Sequence, residues 1–158
     1  MTDPALPDRA LRELLDRQQI ADLLARYCER LDEYDIEGVA ATFTHNAITD
    51  YGPGRGGEVV GRRQIAERIA DGQASFRRTA HQLGQSIVTI DGDQATATTY
   101  VTAWHEWRDD RQEALRLRYI DQLVRTTDGW LIAHRRLEAM GVEGFAGTEW
   151  TWVQRAEP

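Results

Sequence analysis

Two Asp-Gly turns divide the second half of this chain into long stretches of alternating residues. They are Asp91-Gly92-Asp93 and Asp128-Gly129. Glycine supplies the positive φ of a tight hairpin, and period-two alternation marks a strand with one buried face. Strands are therefore expected over 80–90, 95–108, 115–126 and 130–139. The first half has a different period. Leu11, Leu14, Leu15, Ala21, Leu24, Cys28 and Leu31 recur at spacings of three and four, predicting a helix from Asp8, as N-cap, to about Asp32. A short helix capped by Asp35 should turn Val39, Ala40 and Phe43 inward. A third, over 62–71, should bury Ile65, Ile69 and Phe76. Between them, 46–51 reads as a short strand and Gly52-Pro53-Gly54-Arg55-Gly56-Gly57 as a flexible loop. Three helices followed by long hairpins predict an α+β fold, with the helices on one face of a curved antiparallel sheet.

The 158 residues suit one domain over 1–158, with a loose arm at 1–7 and an aromatic tail at 140–158. In that tail Phe145, Trp150 and Trp152 are expected to cover a pocket mouth or a subunit interface. Against 26 acidic residues stand 19 basic ones, a net charge of −7 that disfavours nucleic acid or an anionic membrane as partner. All 19 are arginine, which excludes Schiff-base chemistry on a lysine side chain. The single cysteine, Cys28, can form neither an intrachain disulfide nor a thiolate metal cluster. No secretory leader or membrane-length apolar run is present, so a cytoplasmic protein is expected. No metal-ligand cluster, nucleophile elbow or dinucleotide fingerprint appears either, so neither metal nor cofactor is expected.

The chemistry-bearing residues are few. On the strand at 95–108, His105 shares a parity with Ala97, Thr99, Val101 and Ala103. That small, mostly apolar face suits the inside of a cup. The opposite face, with Thr96, Thr98, Tyr100, Thr102 and Trp104, suits a neighbouring subunit. His81 opens the preceding strand, and Asp32 ends the first helix. Tyr27 lies about 140° from Asp32 on an ideal helix, so both reach one cavity only if the helix stops near Asp32. Tyr51 could present its phenol to the same space. His45 and His134 read as solvated or structural.

Taken together these residues resemble the SnoaL-like branch of the nuclear-transport-factor-2-like superfamily. The resemblance rests on Ile20-Ala21-Asp22-Leu23-Leu24-Ala25-Arg26-Tyr27-Cys28-Glu29-Arg30-Leu31-Asp32, on Thr79-Ala80-His81-Gln82-Leu83-Gly84, on the Asp91-Gly92-Asp93 turn, and on Asp128-Gly129-Trp130-Leu131-Ile132-Ala133-His134-Arg135-Arg136. It implies a conical barrel of curved sheet enclosing a pocket. In site pattern the chain is similar to scytalone dehydratase, whose aspartate, tyrosine and two histidines fall on Asp32, Tyr51, His81 and His105. Bile-acid 7α-dehydratase is similar at Tyr27 and Asp32, and hexachlorocyclohexane dehydrochlorinase shares the aspartate–histidine pair. The chain departs from the scytalone enzyme at Leu31, where that enzyme has a tyrosine. It also departs near Arg118 and Ile120, where that enzyme has a serine and an asparagine.

The resemblance implies a cofactor-free lyase, of dehydratase type, acting on a small hydrophobic cyclic or polyketide-like substrate. His81 would be the base and Asp32 its orienter. Tyr51 or Tyr27 would meet the developing oxyanion, and His105 would act as a second acid or orient water. An isomerase or cyclase using the same pair, or a non-catalytic binding or assembly module, are the alternatives. A homodimer or homotrimer is expected.

Overall fold

A computed structural model describes residues 6–156. Helix α1 spans Leu6–Asp32. It starts two residues earlier than expected, which places Pro7 in the first turn, where its missing N–H costs nothing. Asp8 thus lies in that first turn and does not cap it. Of the arm at 1–7, residues 1–5 lie outside the described residues. The inward face of α1 is Ile20, Leu23, Leu24, Tyr27, Cys28 and Leu31. Leu11, Leu14 and Leu15 were expected on that face but are 56%, 64% and 54% exposed. Asp16 marks the boundary. It bonds Arg125 and Trp130 beside the hairpin turns, and among the described residues the leucines of the turns before it stay exposed.

Helix α2 (Ile36–Ala41) is capped as expected, the Asp35 carboxylate accepting from the Gly38 N–H at 2.9 Å. Replacing Asp35 by alanine should lower unfolding free energy by about 1 kcal/mol in urea titrations. An unchanged midpoint would show the cap to be dispensable. Strand β1 (Phe43–Asp50) begins three residues earlier than the pattern suggested. The glycine-rich segment is not a loose loop. It forms a 3₁₀ turn at Pro53–Arg55, pinned where the Gly54 N–H donates to the Glu149 carbonyl at 3.0 Å, and leads into a short strand β2 (Glu58–Val60) that the sequence did not announce. Helix α3 (Arg62–Gln73) buries Ile65 and Ile69.

The remaining strands are β3 (Phe76–Asp91), β4 (Gln94–Trp107), β5 (Gln112–Thr126) and β6 (Gly129–Glu143). Gly92 and Gly129 hold positive φ in the two hairpin turns, as the sequence requires. The sheet runs β2-β1-β6-β5-β4-β3 and does not close. It is mixed rather than purely antiparallel: β1 pairs with β2 antiparallel on one side and with β6 in parallel on the other. Register shifts at Leu83/Ser86, Arg116/Leu117 and Gln122/Leu123 bend the strands. The concave face so formed carries alternate residues of β4, β5 and β6, and α1 packs across it.

The C-terminal tail runs beside β6 beyond the end of β1. The Ala139 N–H donates to the Thr151 carbonyl at 2.8 Å, and the Ala139 carbonyl accepts from the Val153 N–H at 2.9 Å. This places Phe145 and Trp150 over the mouth of the cone, both buried, while Trp152 stays 46% exposed. Among the described residues no helix is long and apolar enough to cross a membrane.

Candidate functional site

Helix α1 ends at Asp32, and the end of the helix aims that carboxylate at β3. Asp32 Oδ1 lies 2.6 Å from His81 Nδ1 and accepts the Thr79 hydroxyl at 2.7 Å. Oδ2 accepts the His81 backbone N–H at 2.8 Å. Burial pushes the Asp32 carboxyl up, but the bonds from the His81 ring, the His81 backbone and Thr79 outweigh it, and its pKa is lowered. An ionised carboxylate can only accept, so His81 Nδ1 carries a hydrogen, and in the neutral ring that leaves the lone pair at Nε2. The His81 side chain is 4% exposed and Asp32's 27%. His81 lies well inside β3 rather than opening it.

The cone holds a half-open cavity of about 290 Å³, lined among others by Tyr27, Leu31, Tyr51, Arg55, His105, Tyr119 and Trp150. The Tyr27 and Tyr51 hydroxyls stand 3.1 Å apart at its wall. Burial raises both phenol pKa values, so each keeps its proton at neutral pH. Neither Asp32 nor His81 is part of that lining. Asp32 borders an adjoining depression with Phe76, Arg77, Thr79 and Arg108, and the two depressions share Leu31 and Gln73. Asp32 thus borders the second depression, and His81 lines neither. The His81 ring is 5.4 Å from the His105 ring, which does face the main cavity.

His105 is 5% exposed, stacked on Phe76 at 4.4 Å and edge-on to Phe145 at 5.9 Å. Neither ring nitrogen has a hydrogen-bond partner among the described residues. Burial, then the neighbouring His81 and Arg55, lower its pKa from 6.5 to about 3. At neutral pH it is therefore a neutral hydrogen-bonding group and no imidazolium acid. The consequence for stability has a definite sign. An unfolded histidine binds its proton below about pH 6.5 while the folded one refuses it until about 3, so folding weakens as pH falls through that window. The slope should reach up to about 1.4 kcal/mol per pH unit, and His105→Phe should remove it. Urea titrations of both proteins at a series of pH values will read the difference; parallel curves would mean that His105 is already protonated.

Beneath the tyrosines lies a group not singled out in the sequence. Arg135, 1% exposed, makes two bonds to Asp121 at 2.7 and 2.8 Å. Its guanidinium sits 4.2 Å from the Tyr27 ring centre and 4.0 Å from that of Tyr119. Burial opposes its charge, but Asp121 more than restores it. Tyr119 was within reach of sequence reasoning, because Leu115, Leu117, Tyr119, Asp121 and Leu123 share one parity on β5. Arg118 lies on the other face, paired with Glu138 at 2.7 Å. Arg55, Arg68 and Trp150 also line the cavity, and only their placement by loop, helix and tail reveals it. Cys28 is buried, and burial pushes its thiol pKa up to about 12, so it serves as packing. No group of three or more His, Cys, Asp or Glu among the described residues could hold a metal ion.

The SnoaL-like domain family matches residues 12–136. An uncharacterised protein of Mycobacterium tuberculosis is 34% identical over 137 residues, covering 83% of this chain and 92% of that protein. A solved structure from Novosphingobium aromaticivorans, provisionally assigned as a scytalone dehydratase, superposes with a TM-score of 0.85 at 22% identity, over 92% of this chain and 97% of its own. A second structure from that organism, provisionally assigned as an aromatic ring hydroxylase, is 30% identical with a TM-score of 0.78, over 83% and 94%.

Proposed function

The chain belongs to the SnoaL-like family, and on that premise we propose that it is a cofactor-free lyase of the dehydratase type acting on a small cyclic carbonyl compound. The observation that carries this reading is the 2.6 Å bond between Asp32 and His81 Nδ1, with His81 next to His105 at the wall of a half-open cavity. His81 Nε2 takes a proton from the carbon next to the carbonyl. The C–H electron pair becomes the carbon–carbon double bond of an enolate. As the enolate collapses, the β carbon–oxygen bond breaks, and the departing hydroxyl takes the proton back from the imidazolium and leaves as water. Asp32 fixes the tautomer and stabilises the transient imidazolium. Tyr51 or Tyr27, both protonated, donates to the carbonyl oxygen as its charge grows. Neutral His105 orients the substrate or the departing water. The substrate meets His81 beside His105, which faces the cavity and whose ring lies 5.4 Å from that of His81.

The aromatic lining favours a ring, and the names carried by the two structural neighbours, a dehydratase and an aromatic ring hydroxylase, agree with that choice. Exposed Leu11, Leu14 and Leu15 on α1 and Tyr100 and Met140 on the outer sheet face support a homodimer or homotrimer. The function is tested by incubating the protein with cyclic β-hydroxy ketones and weighing the products. Loss of one water is expected. An unchanged mass with a moved double bond or a closed ring would make it an isomerase or cyclase using the same pair. No conversion of any ketone would leave a binding module.

A further inference from the structure

The glycine-rich segment and α3 meet at the cavity mouth, and each contributes an arginine to its lining, Arg55 and Arg68. The buried or half-buried Arg135, Arg118 and Arg125 are matched with Asp121, Glu138 and Asp16. Arg55 and Arg68 form no such pair among the described residues. The Arg55 guanidinium lies on an aromatic shelf, 5.4 Å from the Phe145 ring centre and 5.3 Å from that of Trp150. Burial lowers its pKa; Glu113 pulls it back up, and the like charge of Arg68 lowers it further. Glu113 is itself buried, its Oε2 bonded to nothing, so it acts on Arg55 from a distance and does not occupy its donors. Gly56, next to Arg55, holds a φ of +86°, which favours glycine, and a Cβ there would lie 2.6 Å from Arg68 Nη2, which places the end of the Arg68 side chain against the glycine-rich segment.

Arg55 has lost much of its hydration, half-buried Arg68 faces the same cavity, and neither has a carboxylate partner among the described residues, so an anion that joined them would be stabilised there. We propose that Arg55 and Arg68 form an anion clamp that holds a carboxylate carried by the substrate, with the ring of that substrate lying against Trp150 and Tyr119. The proposal names the substrate class for the same cavity and rests on the reading of that cavity as the substrate site. It does not depend on the identity of the base.

The test uses β-naphthoate and its neutral analogue β-naphthamide, which have nothing to eliminate, with affinities measured by calorimetry. Naphthoate should bind about ten- to hundredfold more tightly than naphthamide. Arg55→Met and Arg68→Met keep the apolar stem, and each should lower naphthoate affinity by about tenfold or more with little change for naphthamide. Circular dichroism and melting curves identify any variant that fails to fold, and the other then carries the comparison. Equal affinity for the two probes, no naphthoate binding, or a naphthoate affinity indifferent to both variants would overturn the clamp. His81→Ala should leave naphthoate binding intact. Loss of turnover in that variant with equal binding of the two probes would refute the clamp alone. Tight, arginine-dependent naphthoate binding with undiminished turnover in His81→Ala would refute the lyase mechanism alone.

Discussion

Replacing His81 by alanine is expected to reduce turnover by about 10²–10⁴-fold, the usual contribution of a positioned general base. The fold should survive, because the Asp32 carboxylate keeps its bonds from Thr79 and from the residue-81 backbone N–H. Asp32→Asn should cost a comparable factor for a different reason. An amide can donate to Nδ1 as well as accept from it, so the lone pair is no longer fixed at Nε2, and the ring loses its counter-charge once protonated. If the two residues act as one unit, the double variant should be little worse than His81→Ala alone. Full additivity of the two losses would mean that Asp32 works independently of the histidine, and near-normal turnover in both single variants would remove them from the mechanism.

The second large effect is on stability. Arg135→Met leaves the Asp121 carboxylate, 1% exposed, without its partner. Breaking a buried pair from one side costs about 3–5 kcal/mol, and for a chain of this size that lowers the melting temperature by roughly 6–20 °C. Tyr27 and Tyr119 lose the guanidinium packed against them as well, so cavity shape should suffer with stability. Removing both charges, as in Arg135→Met combined with Asp121→Leu, should recover much of the loss, since an apolar pair owes no desolvation cost. A single variant that melts within a degree or two of the native protein would show that water already reaches the pair.

Much of this architecture was legible because it is local. The Asp-Gly turns set the hairpins, and parity on β4 put His105 on the concave face with Ala97 and Val101. Parity on β5 would have done the same for Tyr119. The pairing of Asp32 with His81 joins a helix end to a strand 49 residues away, and no periodicity encodes that; it came from resemblance. What stayed hidden depends on long-range placement. The parallel seating of β1 on β6 is a choice of partner, not of local conformation. The exposure of Leu11, Leu14 and Leu15 depends on what lies opposite them, and an apolar stripe carries no record of that. Arg55 reads as one more charge in a loop until the tail folds Trp150 and Phe145 beneath it.

At the centre of the account is a proton moved by His81 from carbon, and deuterium wash-in observes that step before elimination and isomerisation diverge. β-Tetralone, a cyclic ketone with no leaving group, is incubated with the protein in deuterium oxide, and loss of its C–H signals beside the carbonyl is followed by proton NMR. The account predicts exchange well above the buffer rate for the native protein and a return to the buffer rate for His81→Ala. Exchange no faster than buffer with the native protein, or equally fast exchange with His81→Ala, would contradict it.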